Sequence, residues 1–213
     1  MPVVLLVIIA VLAAANWWSR LDSAHVSLTL RSTVEAVTKP LVTLGIAGLA
    51  LAAGGGTTGT LTVIALALCL VGDVMLLPPI DRFVAGLAAF LVGHVVFVAS
   101  FVQRGLDRPA LGGVALIAAA LLIATAGNLI VRGATASNRS LRRPVLAYLV
   151  VIASMAAVGW ATGEPLVIAG STCFVVSDAV LGWRQFVRPV RAGGLIVMVT
   201  YHLAIGLLAL SLW

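Results

Sequence analysis

A chain of 213 residues that is 62% hydrophobic and only 9% charged, with a mean hydropathy of +1.19, is not a water-soluble domain, where roughly a quarter of residues are charged. The net charge of +6 comes from thirteen basic residues scattered between apolar runs rather than gathered on one helix or arm, which argues against a nucleic-acid partner. A spanning helix needs ~20 mostly apolar residues, so the expected unit is one all-α, polytopic membrane bundle of about eight helices over residues 1–213.

Apolar runs between charge and Gly/Pro punctuation predict helices near 2–18, 36–53, 60–79, 83–103, 110–131, 144–161, 165–183 and 192–212. The first, Pro2 to Trp18, ends in an Ala-rich stretch similar to a signal-peptide cleavage site, but no Lys or Arg precedes it, so it is expected to remain as a first helix. Gly54-Gly55-Gly56 reads as a short outer turn, because it lacks the strand-to-helix setting and the following Lys of a phosphate loop. Cys69 and Cys173 each lie inside an apolar run and are expected to act as small packing residues.

Placing the N-terminus outside puts Arg20, Arg31, Lys39, Arg82, Arg132, Arg139, Arg142, Arg143, Arg184, Arg188 and Arg191 in cytoplasmic loops. Only Arg104 and Arg108 are then outside, and both termini are outside as well. Twelve arginines against one lysine suit a GC-rich bacterial genome, which makes the cell membrane the expected location.

Five of the acidic residues, Asp22, Glu35, Asp81, Asp107 and Glu164, fall in or beside predicted loops. Asp73 in the third helix and Asp178 in the seventh do not. Both helices run from outside to inside with each Asp about one and a half turns before the cytoplasmic end, so the carboxylates should share one depth. An ionisable group in a span costs ~3 kcal/mol or more unless paired or hydrated, which makes the two Asp a functional pair by default. The alternative is a pair of carboxyl groups that tie helices together.

The fourth helix adds His94 on a face written Phe83, Gly86, Leu87, Phe90, Gly93, His94, Phe97, with small residues where a neighbour can approach. The eighth adds Tyr201 and His202, which point about 100° apart, so only one should face the Asp cavity. Gly72-Asp73, Phe83, Ala85-Gly86 and Gly93-His94 are echoed by Ser177-Asp178, Phe186, Ala192-Gly193 and Tyr201-His202, which suggests an internal repeat of helices 3–4 and 7–8. Lys39, at the predicted mouth of the second helix, and Arg82 and Arg184, on the side of the two Asp, are candidates for holding an anionic headgroup. Interface anchoring and topology signals explain the same three residues equally well.

Lys39-Pro40, Gly72-Asp73 with Leu76, and the run Phe83, Gly86-Leu87, Phe90, Gly93-His94, Phe97 continue through Tyr148, Met155, Phe174, Ser177-Asp178, Leu181, Phe186 and Tyr201. In this order and spacing the sequence resembles the YhhN family, from about Lys39 to the end. The last helix departs from the family pattern, with His202 where a second Tyr is common and Ile205 where a Gln is common. The characterised animal members of the family are lysoplasmalogenases. The resemblance therefore implies cleavage of a lysoplasmalogen vinyl ether to a fatty aldehyde and a glycerophospho-alcohol, with no cofactor and with membrane lipid as substrate.

The residues suit that chemistry independently. Vinyl ether hydrolysis needs an acid that protonates the double-bond carbon and a base that guides water to the resulting oxocarbenium centre, as two carboxyls do in glycoside hydrolysis. Asp73 and Asp178 are expected to divide those tasks, with His94 orienting water or bonding one Asp and Tyr201 serving the leaving alcohol. Three alternatives remain: a zinc site made of Asp73, His94, Asp178 and His202, a proton-coupled transporter, and a scaffold whose Asp and His only join helices.

Overall fold

The computed structural model describes residues 2–21, 27–78 and 80–213, and among them there is helix but no strand. The helices are α1 Pro2–Ser19, α2 Leu28–Ala53, α3 Gly56–Met75 and α4 Phe83–Arg104. They are followed by α5 Pro109–Leu122, α6 Asn128–Ser137, α7 Arg142–Ala161, α8 Pro165–Phe186 and α9 Gly193–Leu210. A π-helical segment, Ile123–Gly127, joins α5 to α6 as one rod. Among the described residues, seven helices are long and apolar enough to cross a membrane, and Val3–Ser19 is a shorter apolar helix. The chain is thus an all-α, multi-pass membrane bundle, as its composition requires.

The α3–α4 and α8–α9 hairpins pack most extensively, α2 lies against α1, α3 and α9, and the α5 half of the rod lies against α7. Glycine sets the first of these contacts. A Cβ on Gly72 would come within 2.6 Å of the Phe90 ring, and one on Gly86 within 2.8 Å of Leu76. The turn between α2 and α3 carries φ values of 76°, 82° and 59° at Gly54, Gly55 and Gly56, a left-handed run that side chains disfavour.

Of the predicted boundaries that move, two bear on the site. The second helix starts at Leu28 rather than near 36, with the Ser27 hydroxyl accepting from Leu30 N at 3.3 Å as its cap. Lys39 and Glu35 are therefore helical residues and not loop residues, and Pro40 lies inside α2. Their charges are accommodated because each finds an opposite charge, Lys39 on Asp73 and Glu35 on Arg20. The third helix ends at Met75, since Leu77 precedes Pro78 and a residue before proline avoids helical geometry. Asp73 thus sits in the last turn of α3, whereas Asp178 lies about two turns before the end of α8. The predicted loop position of Asp22 and the predicted end of the third helix at residue 79 lie outside the described residues.

At the end of the bundle away from Asp73, Arg104 joins three elements. Its Nη1 meets Glu164 Oε2 at 2.6 Å and donates to the Ser211 carbonyl at 3.1 Å, while Nη2 donates to Ser211 Oγ at 2.9 Å. Between the two ends, Phe97, Phe101, Phe174, Met155, Ile205 and Leu208 are fully buried and form the centre of the core.

Candidate active site

Asp73 is completely buried, and three side chains surround its carboxylate. Lys39 and Thr43, one turn apart on α2, present the ammonium at 3.4 Å from Oδ1 and a hydroxyl that donates to Oδ2 at 2.6 Å. The Tyr201 hydroxyl of α9 donates to the same Oδ2 at 2.8 Å. One cation and two hydroxyl donors offset part of what it costs to bury a carboxylate.

Asp178 is held more sparsely. The Tyr148 hydroxyl of α7 donates to its Oδ2 at 2.6 Å, and His94 Nε2 lies 3.8 Å from that oxygen, beyond hydrogen-bond distance. His94 is fixed by edge-to-face contacts with Tyr148 at 5.6 Å and Phe174 at 4.8 Å between ring centroids. The two hairpins therefore exchange partners. Asp73 of α3 is bonded from α9, and Asp178 of α8 is approached from α4.

Both carboxylates line one cavity of about 230 Å³, together with Lys39, Tyr201, Arg184, Arg20 and Glu35. A wider cavity of about 440 Å³ adjoins it through Arg20, Glu35, Arg184 and Gly194, and adds Arg31 and Ser32. The ends of α1 and α8 and the starts of α2 and α9 build this mouth.

The first helix contributes more than Arg20, which is ion-paired with Glu35. Asn16 Nδ2 donates to Thr38 Oγ1 at 3.0 Å, next to Lys39, and Trp17 Nε1 donates to His202 Nδ1 at 3.0 Å, next to Tyr201. His202 is thereby turned away from the carboxylates while Tyr201 faces them. The four residues of the zinc alternative are not gathered, and among the described residues no three His, Cys, Asp or Glu side chains come together as a metal site.

Of the residues singled out in the sequence, Asp73, Asp178, Tyr201, Lys39 and Arg184 line the cavity, and His94 lies outside its wall, 3.8 Å from Asp178. Arg82 does not reach it; it is exposed just before α4. Thr43, Tyr148, Arg20 and Glu35 join the site without having been singled out for it. Tyr148 had a signal, since the chain contains two tyrosines and each donates to one of the two intramembrane aspartates.

The family model described as "YhhN family" matches residues 34–212. Lysoplasmalogenase TMEM86B of Homo sapiens is 33% identical over 182 residues, covering 84% of this chain and 76% of that protein. Its Sus scrofa counterpart is 32% identical over the same length and shares. A lysoplasmalogenase of Mycobacterium tuberculosis (strain CDC 1551 / Oshkosh) is 30% identical over 128 residues, 58% of this chain and 49% of that protein. No solved structure matches the chain.

Proposed function

The chain belongs to the YhhN family, and from that premise we propose that it hydrolyses the vinyl ether bond of a lysoplasmalogen or a closely related single-chain ether lipid. The observation that carries the reading is a pair of unlike carboxyl groups on one cavity. Asp73 is surrounded by Lys39, Thr43 and Tyr201, while Asp178 has the Tyr148 hydroxyl and aromatic neighbours.

In this scheme Asp178 delivers a proton to the double-bond carbon distal to the ether oxygen, leaving an oxocarbenium centre on the adjacent carbon. Asp73 accepts a proton from water as its oxygen bonds to that centre, giving a hemiacetal. The hemiacetal hydroxyl then loses its proton, the ether oxygen gains one, and the C–O bond breaks. Vinyl ether and water become fatty aldehyde and glycerophospho-alcohol. Lys39 keeps Asp73 an anion, a role we prefer to headgroup binding because the ammonium is buried against that carboxylate.

The headgroup phosphate is assigned to the arginines of the mouth, Arg20 and Arg184, of which the second was expected from the sequence. Arg82 is left out because it lies off the cavity wall. The distribution of arginine supports a reading with this mouth on the cytoplasmic side and both termini outside.

The test is aldehyde release from a 1-alkenyl lysophospholipid by purified protein in detergent, for wild type, Asp73→Asn and Asp178→Asn, each with and without chelator. A loss of about 10²- to 10⁴-fold in each variant, untouched by chelator, is expected for general acid–base work by two carboxyls. Chelator sensitivity would return the metal alternative. Absence of wild-type activity on every headgroup would sink the hydrolase reading.

A further inference from the structure

Asp178 has a second side. Away from the polar cavity, an apolar slot of about 50 Å³ reaches it and Tyr148 between the α5–α6 rod, α7 and α8. Its walls include Ala119, Ile123, Ala126, Gly127, Leu149 and Ile152. A neighbouring slot of about 40 Å³, walled in part by Phe90, Val145 and Leu181, ends on the same Asp178 and Tyr148. The carboxyl thus stands at a boundary, with arginine and lysine on one side and hydrocarbon walls on the other.

The wall of the first slot coincides with the irregular part of the rod. Ile123–Gly127 is π-helical, a form that occurs mostly as single turns and often at functional sites. Gly127 brings the rod close to α7, since a Cβ there would lie 3.3 Å from Leu149 Cδ1. Leu122, on the wall of the slot, is 38% exposed and its neighbour Leu121 64% exposed, on a rod whose surroundings are membrane lipid.

We propose that this slot is a lateral doorway through which the hydrocarbon chain of the substrate reaches Asp178 from the bilayer. The proposal rests on the vinyl ether reading and deepens it by naming the path and the lipid class. The occupant is one hydrocarbon chain, because the slot is apolar, narrow and continuous with the carboxyl that would protonate the chain's first double bond. Only the carbons next to the ether are seated; the remainder stays among the lipids. A single-chain lipid is the class that fits, because a second chain would have to enter the neighbouring slot of about 40 Å³ on the same Asp178 or lie against Lys39, Asp73 and Arg20 in the polar cavity.

The experiment uses full-length protein in nanodiscs and a saturated, uncleavable 1-alkyl lysophosphocholine with a diazirine a few carbons from the ether. Expected is labelling on residues 119–127 and 149–153 that excess unlabelled lysolipid removes and diacyl phospholipid does not. Ala126→Trp, which fills the slot, should abolish that labelling and lower aldehyde release by about 10²-fold, the scale of a misplaced substrate. Ala124→Trp, on the exposed side of the same segment, should leave both unchanged. Labelling spread evenly over lipid-facing helices, or unchanged in a folded Ala126→Trp, overturns the doorway; if that variant does not fold, the wild-type map alone decides. Competed labelling at the slot in a wild type that releases no aldehyde supports the doorway and overturns the vinyl ether reading instead.

Discussion

Tyr201 on α9 donates its hydroxyl to Asp73 on α3 at 2.8 Å, across 128 positions of sequence. Thr43 donates to the same oxygen at 2.6 Å, so Tyr201→Phe removes one donor and leaves another. A hydrogen bond to a charged group contributes about 1.5–3 kcal/mol. If Asp73 takes the proton of water, kcat for aldehyde release should fall about 10- to 100-fold with little change in KM. Steady-state kinetics on protein of native helicity measure this, and an unchanged kcat would remove Tyr201 from the mechanism.

Lys39→Leu should unfold the protein at a lower temperature, because it leaves Asp73 buried without its cation. Breaking a buried pair from one side costs about 3–5 kcal/mol. Lys39→Leu combined with Asp73→Asn should recover most of that stability while aldehyde release stays absent. Thermal unfolding of the two single variants and the double variant separates the electrostatic cost from the catalytic one.

Gly72→Ala should be destabilising by about 1–3 kcal/mol through overpacking, since the new methyl meets the Phe90 ring at 2.6 Å. It should also reduce aldehyde release, because residue 72 precedes Asp73 in the same helical turn. Gly48→Ala, where a Cβ meets nothing within 4 Å, is the matched control and should be neutral or stabilising. Equal melting temperatures for the two variants would contradict the close α3–α4 approach.

Arg104→Gln removes the charged contact with Glu164 at the far end of the bundle. A loss of about 1.5–3 kcal/mol in stability is expected. The kcat of the folded fraction should be unchanged, because none of the cavity residues touches Arg104. Thermal unfolding and active-site-normalised kinetics test the two halves of this statement separately.

The helices and the Asp pair were legible in the sequence because lipid imposes a local rule: apolar residues for ~20 positions, and a cost for every exception. That rule misplaced Lys39. Read alone, a lysine belongs at a helix mouth, and only the carboxylate supplied by α3 explains its position within α2. Tyr148, Thr43, Arg20 and Glu35 were missed for a related reason. A hydroxyl in an apolar run costs little, and the Arg20–Glu35 pair joins α1 to α2 in space, so neither leaves a periodic trace. The π-helical segment was hidden too, because Ile123-Ala124-Thr125-Ala126-Gly127 is as apolar as the α-helix on either side.

The contacts made by Asn16, Trp17 and Arg20 lie upstream of residue 34, where the match to the family begins. Shared ancestry is thus recognisable in the part that carries both carboxylates, while the struts that steady Lys39 and Tyr201 come from outside it. If Arg20 holds the headgroup as proposed, a change in this leading segment is expected to alter headgroup choice through Arg20 and the seating of the last helix through the Trp17–His202 bond, with Asp73 and Asp178 left intact.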